Sequence, residues 1–541
     1  MKLKVFFSFL LGSALTLSAQ QGFKDGIEYF KADQPEEAAI ILEKTLNEAS
    51  TNKALANYYL GLIDMQKGNI NAAKGHFDQG IAANANCPLN YIGLGYIDLK
   101  QGNADAAEKN FKVAREFDKK DAAVLTEIAR TYYSVDPVLY AKAIEKNLAE
   151  AKKVSKKNPE PAIYILEGDM LAKTNVGDAA SFYQMANEFD VNTAYPEAYV
   201  KYARVYFHVN PQYSIDKLKE LLAKRPDSAL AQRELAEEYY ESDRLTLAAE
   251  QYGEYIKNPN HFQKDEIRYV ALLYFGKKYQ ESFDLAGKIL GEEPDNIYMQ
   301  RMQFLNLEKL GQFEKAREFA EKFLNNTKVQ GNLAANDYTT YGDILQNLGQ
   351  DTLAALQYEE AVKIAPEKKE LLKDLSGAYT KAKMYAEAAD AQQRFVDSGE
   401  AATNDIFMLA RRYQNVAATA TDPAKKQEAV EKALNCINTV LERVPDNATI
   451  VLTKARIQFV QNDNKVNEDV VNTYLSALEI LDKDPANKTA KKNDYINAYN
   501  QIANYYLGLG DNENARLYFT KFLEIDPENE ALRNYLENNL K

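Results

Sequence analysis

The residues able to do chemistry are few and scattered. The 541-residue chain has three histidines, His76, His208 and His261, and two cysteines, Cys87 and Cys436. It has no His-Glu-x-x-His, no close Cys/His cluster and no serine elbow, so zinc sites and nucleophilic triads lack their ligands. Neither a Walker loop nor a dinucleotide-binding fingerprint is present. Glu and Asp are abundant, but on helix surfaces such groups are solvated or pair with Lys at i+4. A carboxylate-pair hydrolase is the weaker reading, and no catalytic residue, cofactor or metal is assigned. The net charge of -13 argues against nucleic acid, which calls for basic patches, and fits a soluble surface.

The elements that would have to position any site are repeats. Residues 60–77 recur 34 residues later: Leu60-Gly61 matches Leu94-Gly95, Asp64 matches Asp98, Gly68-Asn69 matches Gly102-Asn103, Ala72-Ala73 matches Ala106-Ala107, and Phe77 matches Phe111. A fixed period dictates architecture before any local motif does. Each copy holds two blocks of apolar residues at helical spacing, split by a Gly suited to a tight turn. Gly95 and Ala107 lie inside helices, where Gly costs about 1 kcal/mol against Ala. A close helix approach explains that cost, with Phe111 filling the space beside the small residues. Such a hairpin cannot bury its seam alone, so neighbours must stack on it.

The pattern of aromatic, Leu-Gly, Tyr, Gly, Ala, aromatic, Ala and closing Pro resembles the tetratricopeptide repeat (TPR). The fullest copies are Tyr499, Ile502, Ala503, Tyr506, Gly510, Ala515, Phe519, Pro527 and Tyr338, Tyr341, Gly342, Gly349, Ala354, Tyr358, Ala361, Pro366. The resemblance implies an all-α fold, a right-handed superhelical solenoid of about fourteen hairpins closed by a capping helix at 530–540. The expected organisation is a signal peptide (1–19), an N-terminal array (20–229), a central array (230–402), irregular repeats with insertions (403–495), and a last repeat with its cap (496–541). An Ala/Thr-rich insertion at 416–426 is expected to lengthen a loop on one rim. Cys87 and Cys436 belong to distant repeats and read as small packing residues rather than a disulfide.

Lys2 and Lys4 followed by the apolar run 5–17 and small residues before Ala19-Gln20 read as a secretory signal. The run is shorter than the ~20 residues a spanning helix needs. An exported bacterial protein is expected, in the periplasm, with no cysteine near the cleavage point for lipid attachment. Asp227-Ser228-Ala229 and Asp351-Thr352-Leu353 resemble a short O-glycosylation sequon.

Binding fits better than catalysis. In the family that the repeats resemble, the first helix of each hairpin lines a concave groove. Carried over, the groove comprises Leu55, Tyr58, Leu62 and Met65, then Leu89, Ile92, Tyr96 and Leu99, an apolar stretch suited to an amphipathic helix or extended peptide. Further along it presents Arg233, Glu237 and Tyr240, then Asn336, Thr339, Asp343 and Gln346, and finally Asn497, Asn500 and Asn504. The resemblance implies a non-catalytic scaffold or adaptor of the cell envelope. Its expected partners are proteins, with no nucleic acid and no transmembrane anchor after signal cleavage. A periplasmic holding chaperone and a glycan-binding module are the alternatives.

Overall fold

The computed structural model describes residues 22–540; the expected signal segment at 1–19 lies outside them. Every described repeat is a helical hairpin. The 54–87 copy forms Lys53–Gln66 and Ile70–Ala83, and the next forms Pro88–Lys100 and Ala104–Phe117. Local chemistry sets these bounds. The Asn52 side chain caps the Leu55 amide, and Pro88 occupies a first turn, where its missing N–H costs nothing. Gly68 and Gly102 end their helices at φ +79° and +80°, angles that a Cβ disfavours. In looser repeats Asp33, Asp243, Lys277 and Lys383 adopt the same left-handed turn without glycine.

Packing explains the glycines inside helices. Phe77 is fully buried, and a Cβ built on either Gly61 or Gly93 would lie 2.4 Å from its Cε1 atom. The ring is gripped by two backbones. Phe111 sits in the same way on Gly95, at 2.4 Å, and Tyr358 on Gly342, at 2.6 Å. The repeat consensus is therefore a set of ring-and-backbone contacts.

The chain divides into two compact units with the boundary between Pro294 and Asp295, inside the stretch expected to form a central array. In the first unit the hairpins run without interruption to Tyr279–Glu292, and first helices of neighbouring hairpins lie beside one another. In the second unit a 3-10 turn, Thr327–Asn332, precedes the hairpin Ala335–Asn347 and Asp351–Ile364. The insertion at 416–426 differs from expectation. It lengthens two helices, Thr403–Thr419 and Pro423–Arg443, and leaves only 420–422 as a connection. Alanine favours helix, and the Asp422 side chain caps the Ala424 and Lys425 amides. The last helix, Glu530–Asn539, packs Leu532, Tyr535 and Leu536 against the final repeat, with Tyr535 edge-on to Phe519. Ala531 is exposed, and Leu540 is buried. No described helix is long and apolar enough to cross a membrane.

Candidate functional site

The first-helix faces of the two units differ. In the first unit this face is filled. Tyr58, Met65, Ile92, Tyr96 and Leu99 are buried, and Leu55, Leu62 and Leu89 are half-buried against the same core. These residues therefore pack between helices and do not form the open apolar groove that their spacing suggested. A side chain at such a position points outward only if nothing packs over it, and here something does. Tyr58 donates to Glu127 Oε1 at 2.8 Å, two repeats away. Burial and the Glu127 charge push its phenol well above the ordinary range.

From Tyr58 a polar network runs along the inner helices. Arg130 binds Asp169 at 2.7 Å, Lys201 binds the other Asp169 oxygen at 2.9 Å, and Tyr183 donates to it at 3.0 Å. Burial alone would raise the Asp169 carboxyl, but Lys201 and Arg130 hold it below the usual carboxylate range. Such a buried charge persists because its partners satisfy it.

Farther along, at residues 201–264, the chain's own first hairpin, residues 22–31 and Pro35–Thr45, lies on the first-helix face. Its Glu28 carboxylate takes Arg225 at 2.5 Å and Ser228 Oγ at 2.9 Å. Asp33 takes Lys201 at 2.6 Å, the Ala32 carbonyl takes Arg204 at 2.5 Å, and Glu37 takes Lys264 at 2.6 Å. Arg233, expected in an open groove, donates to Asp265 at 2.7 and 3.2 Å and to Gln34 Oε1 at 3.1 Å. Tyr240 remains exposed, with the Arg268 guanidinium 4.9 Å from its ring; Arg268 also pairs with Glu237. Ser228, in one sequon, is fully buried, whereas Thr352 in the other is exposed.

In the second unit the first-helix face is more open. Asp343, Gly377 and Arg411 recur at 34-residue spacing on successive first helices. Asp343 and Arg411 are exposed, and a Cβ on Gly377 would meet nothing within 4 Å. Asp343 accepts from Tyr358 at 2.5 Å. Burial and then the neighbouring Asp343 and Glu370 charges raise the Asp374 carboxyl. Burial and Arg411 lower Arg412, whose Nε donates to Ser376 Oγ at 3.0 Å. Asn336 is exposed, Thr339 is half-buried, and Gln346 accepts from Lys381 at 2.5 Å. Asn497 and Asn500 are half-buried, and exposed Asn504 bonds back to the Asn500 carbonyl at 2.8 Å. The sequence-predicted residues thus separate into a covered set and an open set.

Reasoning from the sequence missed Lys201, Arg204, Arg225 and Lys264, and the acidic first hairpin that they hold. Glu197, Lys201 and Arg204 lie at helical spacing along Pro196–Phe207, which marks a charged inner face. The hairpin partners of Lys201, Arg204, Arg225 and Lys264 are 168 to 227 residues away, beyond the reach of any local pattern.

The histidines serve local structure. His76 Nδ1 is 2.9 Å from Asn57 Oδ1, His261 lies between the Asn258 carbonyl (2.7 Å) and Glu266 (2.9 Å), and His208 packs edge-on to Phe207. Among the described residues no group of three or more His, Cys, Asp or Glu could hold a metal ion.

These hairpins, stacked seam to seam, define an all-helical repeat solenoid. The tetratricopeptide-repeat model matches residues 338–368 and 496–529, the two copies whose consensus is fullest, so the chain carries tetratricopeptide repeats there. Repeats of this kind generally serve as non-catalytic scaffolds and typically bind protein partners. No curated protein matches the sequence. Among solved structures, the chain is similar to the C-terminal part of a TPR repeat-containing protein from Cytophaga hutchinsonii (20% identity, 50% of this chain and 99% of that one, TM-score 0.40). It is also similar to a thermophilic TPR protein of Thermus thermophilus (20%, 38% and 97%, TM-score 0.26). A third match is the APC/C hetero-tetramer Cut9-Hcn1 (12%, 95% and 95%, TM-score 0.29). At these levels no partner carries over from any of them.

Proposed function

We propose that the chain is an exported, non-catalytic scaffold of the cell envelope, residing in the periplasm and binding protein segments on the first-helix face of its second unit. The observation that supports this is the uncompensated charge there. Burial and then the Asp343 charge make Asp374 costlier to ionise, burial and then Arg411 disfavour the charge on Arg412, and the open Gly377 lies between Asp343 and Arg411 in the repeat order. Groups that lack ion-pair partners within the chain gain most from a partner that supplies them. Export is supported by the charged, apolar and small-residue pattern of residues 1–20.

The test is crosslinking and pull-down from the native envelope fraction, run beside a D343N/R411A/R412A variant with unchanged helicity and melting. Capture of a defined partner that the variant loses is the expected result. Capture that ignores the variant would remove this face from consideration. The chaperone reading has lost its main support, because the apolar residues at 55–99 are covered.

A glycan reading has one observation in its favour. Tyr202, Tyr206 and Tyr213 line an open cavity with Asp216, Lys217 and Glu220, and sugars stack on aromatic faces while carboxylates bind their hydroxyls. Retention on a polysaccharide gel that is lost in a Tyr206→Ala, Tyr213→Ala variant would establish it.

A further inference from the structure

The first hairpin contacts the rest of the first unit in two ways. On one side it follows the repeat pattern, with Phe30 edge-on to Tyr59 at 5.3 Å between ring centres. On the other it reaches back across the intervening repeats to three consecutive first-helix segments, 196–207, 225–241 and 258–266. There Asn260 donates to Asp25 at 2.7 Å, Lys31 pairs with Glu197 at 3.1 Å, and Gln34 donates to Glu234 at 2.6 Å. The Arg225, Ser228, Lys201, Arg204, Arg233 and Lys264 contacts described above complete the set. On the apolar side Tyr29 lies edge-on to Phe262 at 5.3 Å, and Phe23, Ile41 and Leu42 share a core with Tyr199 and Leu230.

This second contact has the anatomy of a bound helix. It places an amphipathic segment on the face that such repeats use for partners, with an aromatic anchor at the centre and charge pairs around it. The charges are complementary in sense. The hairpin supplies the carboxylates of Asp25, Glu28, Asp33 and Glu37, and the face supplies Lys201, Arg204, Arg225 and Lys264. The fit is also incomplete. Glu197, which pairs with Lys31 of the hairpin, keeps its Oε2 buried without a hydrogen-bond partner, a standing cost to the closed state. Lys264 and Asp33 are more than half exposed within their ion pairs, so those contacts weaken with salt.

We infer that residues 22–45 act as an exchangeable occupant of a helix-docking face formed by residues 196–266, and that the face takes in their place an amphipathic helix of another protein carrying carboxylates in a matching row. This deepens the scaffold reading and rests on it for the identity of the outside partner, but the occupant itself is tested without one. In hydrogen exchange on the full chain, amides of 22–45 open at least about tenfold faster than those of Ala122–Val135, because the occupant leaves by a sub-global opening. Raising NaCl from about 50 mM to about 500 mM speeds 22–45 selectively. A labelled peptide of residues 22–45, added in trans, binds an E28K/D33K/E37K full-chain variant and binds wild type at least about tenfold more weakly.

Equal protection of 22–45 and 122–135 at both salt concentrations would show that the hairpin opens only with the whole unit, and would overturn the inference. Failure of the variant to fold leaves the wild-type exchange measurement to decide. Failure of the envelope pull-down would count against the scaffold reading alone, since neither the exchange nor the peptide experiment needs a natural partner.

Discussion

Gly93→Ala should destabilise the first unit although alanine is the better helix former. The new Cβ would sit 2.4 Å from Phe77 Cε1, 2.5 Å from Cδ1 and 2.6 Å from Cζ. The ring has little room to give, because Gly61 also approaches it at 2.4 Å and Phe77 is fully buried. Overpacking costs about 1–3 kcal/mol, and the Gly-to-Ala exchange in a helix returns about 1 kcal/mol. The net effect is a loss of up to ~2 kcal/mol. Gly75 in the adjacent helix Ile70–Ala83 provides the control, since nothing lies within 4 Å of its Cβ position. Gly75→Ala should gain roughly 0.5–1 kcal/mol. Urea unfolding followed at 222 nm compares the two, with exchange protection of residues 53–100 locating the change within a repeat array that need not melt in one step. Adding Phe77→Leu makes room, so the double variant should be more stable than the sum of the single effects predicts by about 1 kcal/mol or more. If Gly93→Ala matches Gly75→Ala in stability, or if the cycle shows no coupling, the ring-and-backbone account of the consensus is wrong.

Other outcomes follow from the same geometry. Burial pushes the Glu238 carboxyl up to about 7; its ionised form is disfavoured in the fold, so stability is greatest below the ordinary carboxylate range and declines as pH rises to about 7. Glu238→Gln should accordingly gain melting temperature over wild type as pH goes from 5 to 7.5, and a pH-independent difference would refute the assignment. Arg301 pairs with Asp337 at 2.7 and 2.9 Å, and Asp337 is almost wholly buried. Arg301→Ala should cost the second unit about 3 kcal/mol, whereas Lys257→Ala, which breaks an exposed pair with Glu254, should change stability by less than ~1 kcal/mol; comparable losses in chemical denaturation would contradict this. Cys87 and Cys436 are both free thiols, and thiol titration of the unreduced, denatured chain should count both.

The repeats were legible because each one is assembled locally. The Gly68 and Gly102 turns, the Pro88 helix start and the Phe77–Gly61 contact all lie within or between adjacent copies, where a 34-residue period displays them. The insertion at 416–426 was misread as loop because it breaks the period, although its alanine content and the Asp422 cap favour helix. The exposure of Asn336, Asp343 and Asn504 was legible from register alone. The covered ones, Tyr58 and Arg233 among them, were not, because register shows which way a helix position faces but not what else occupies that space.

The sequence by itself determined the hairpin, its length, its seam and its repetition, since these depend on backbone preferences and contacts between neighbours in the chain. Only the tertiary structure decided which face is free. That depends on Glu28 reaching Arg225 and Asp33 reaching Lys201 across many intervening repeats. Small rotations added at each hairpin bring those residues together, and no single repeat records their sum.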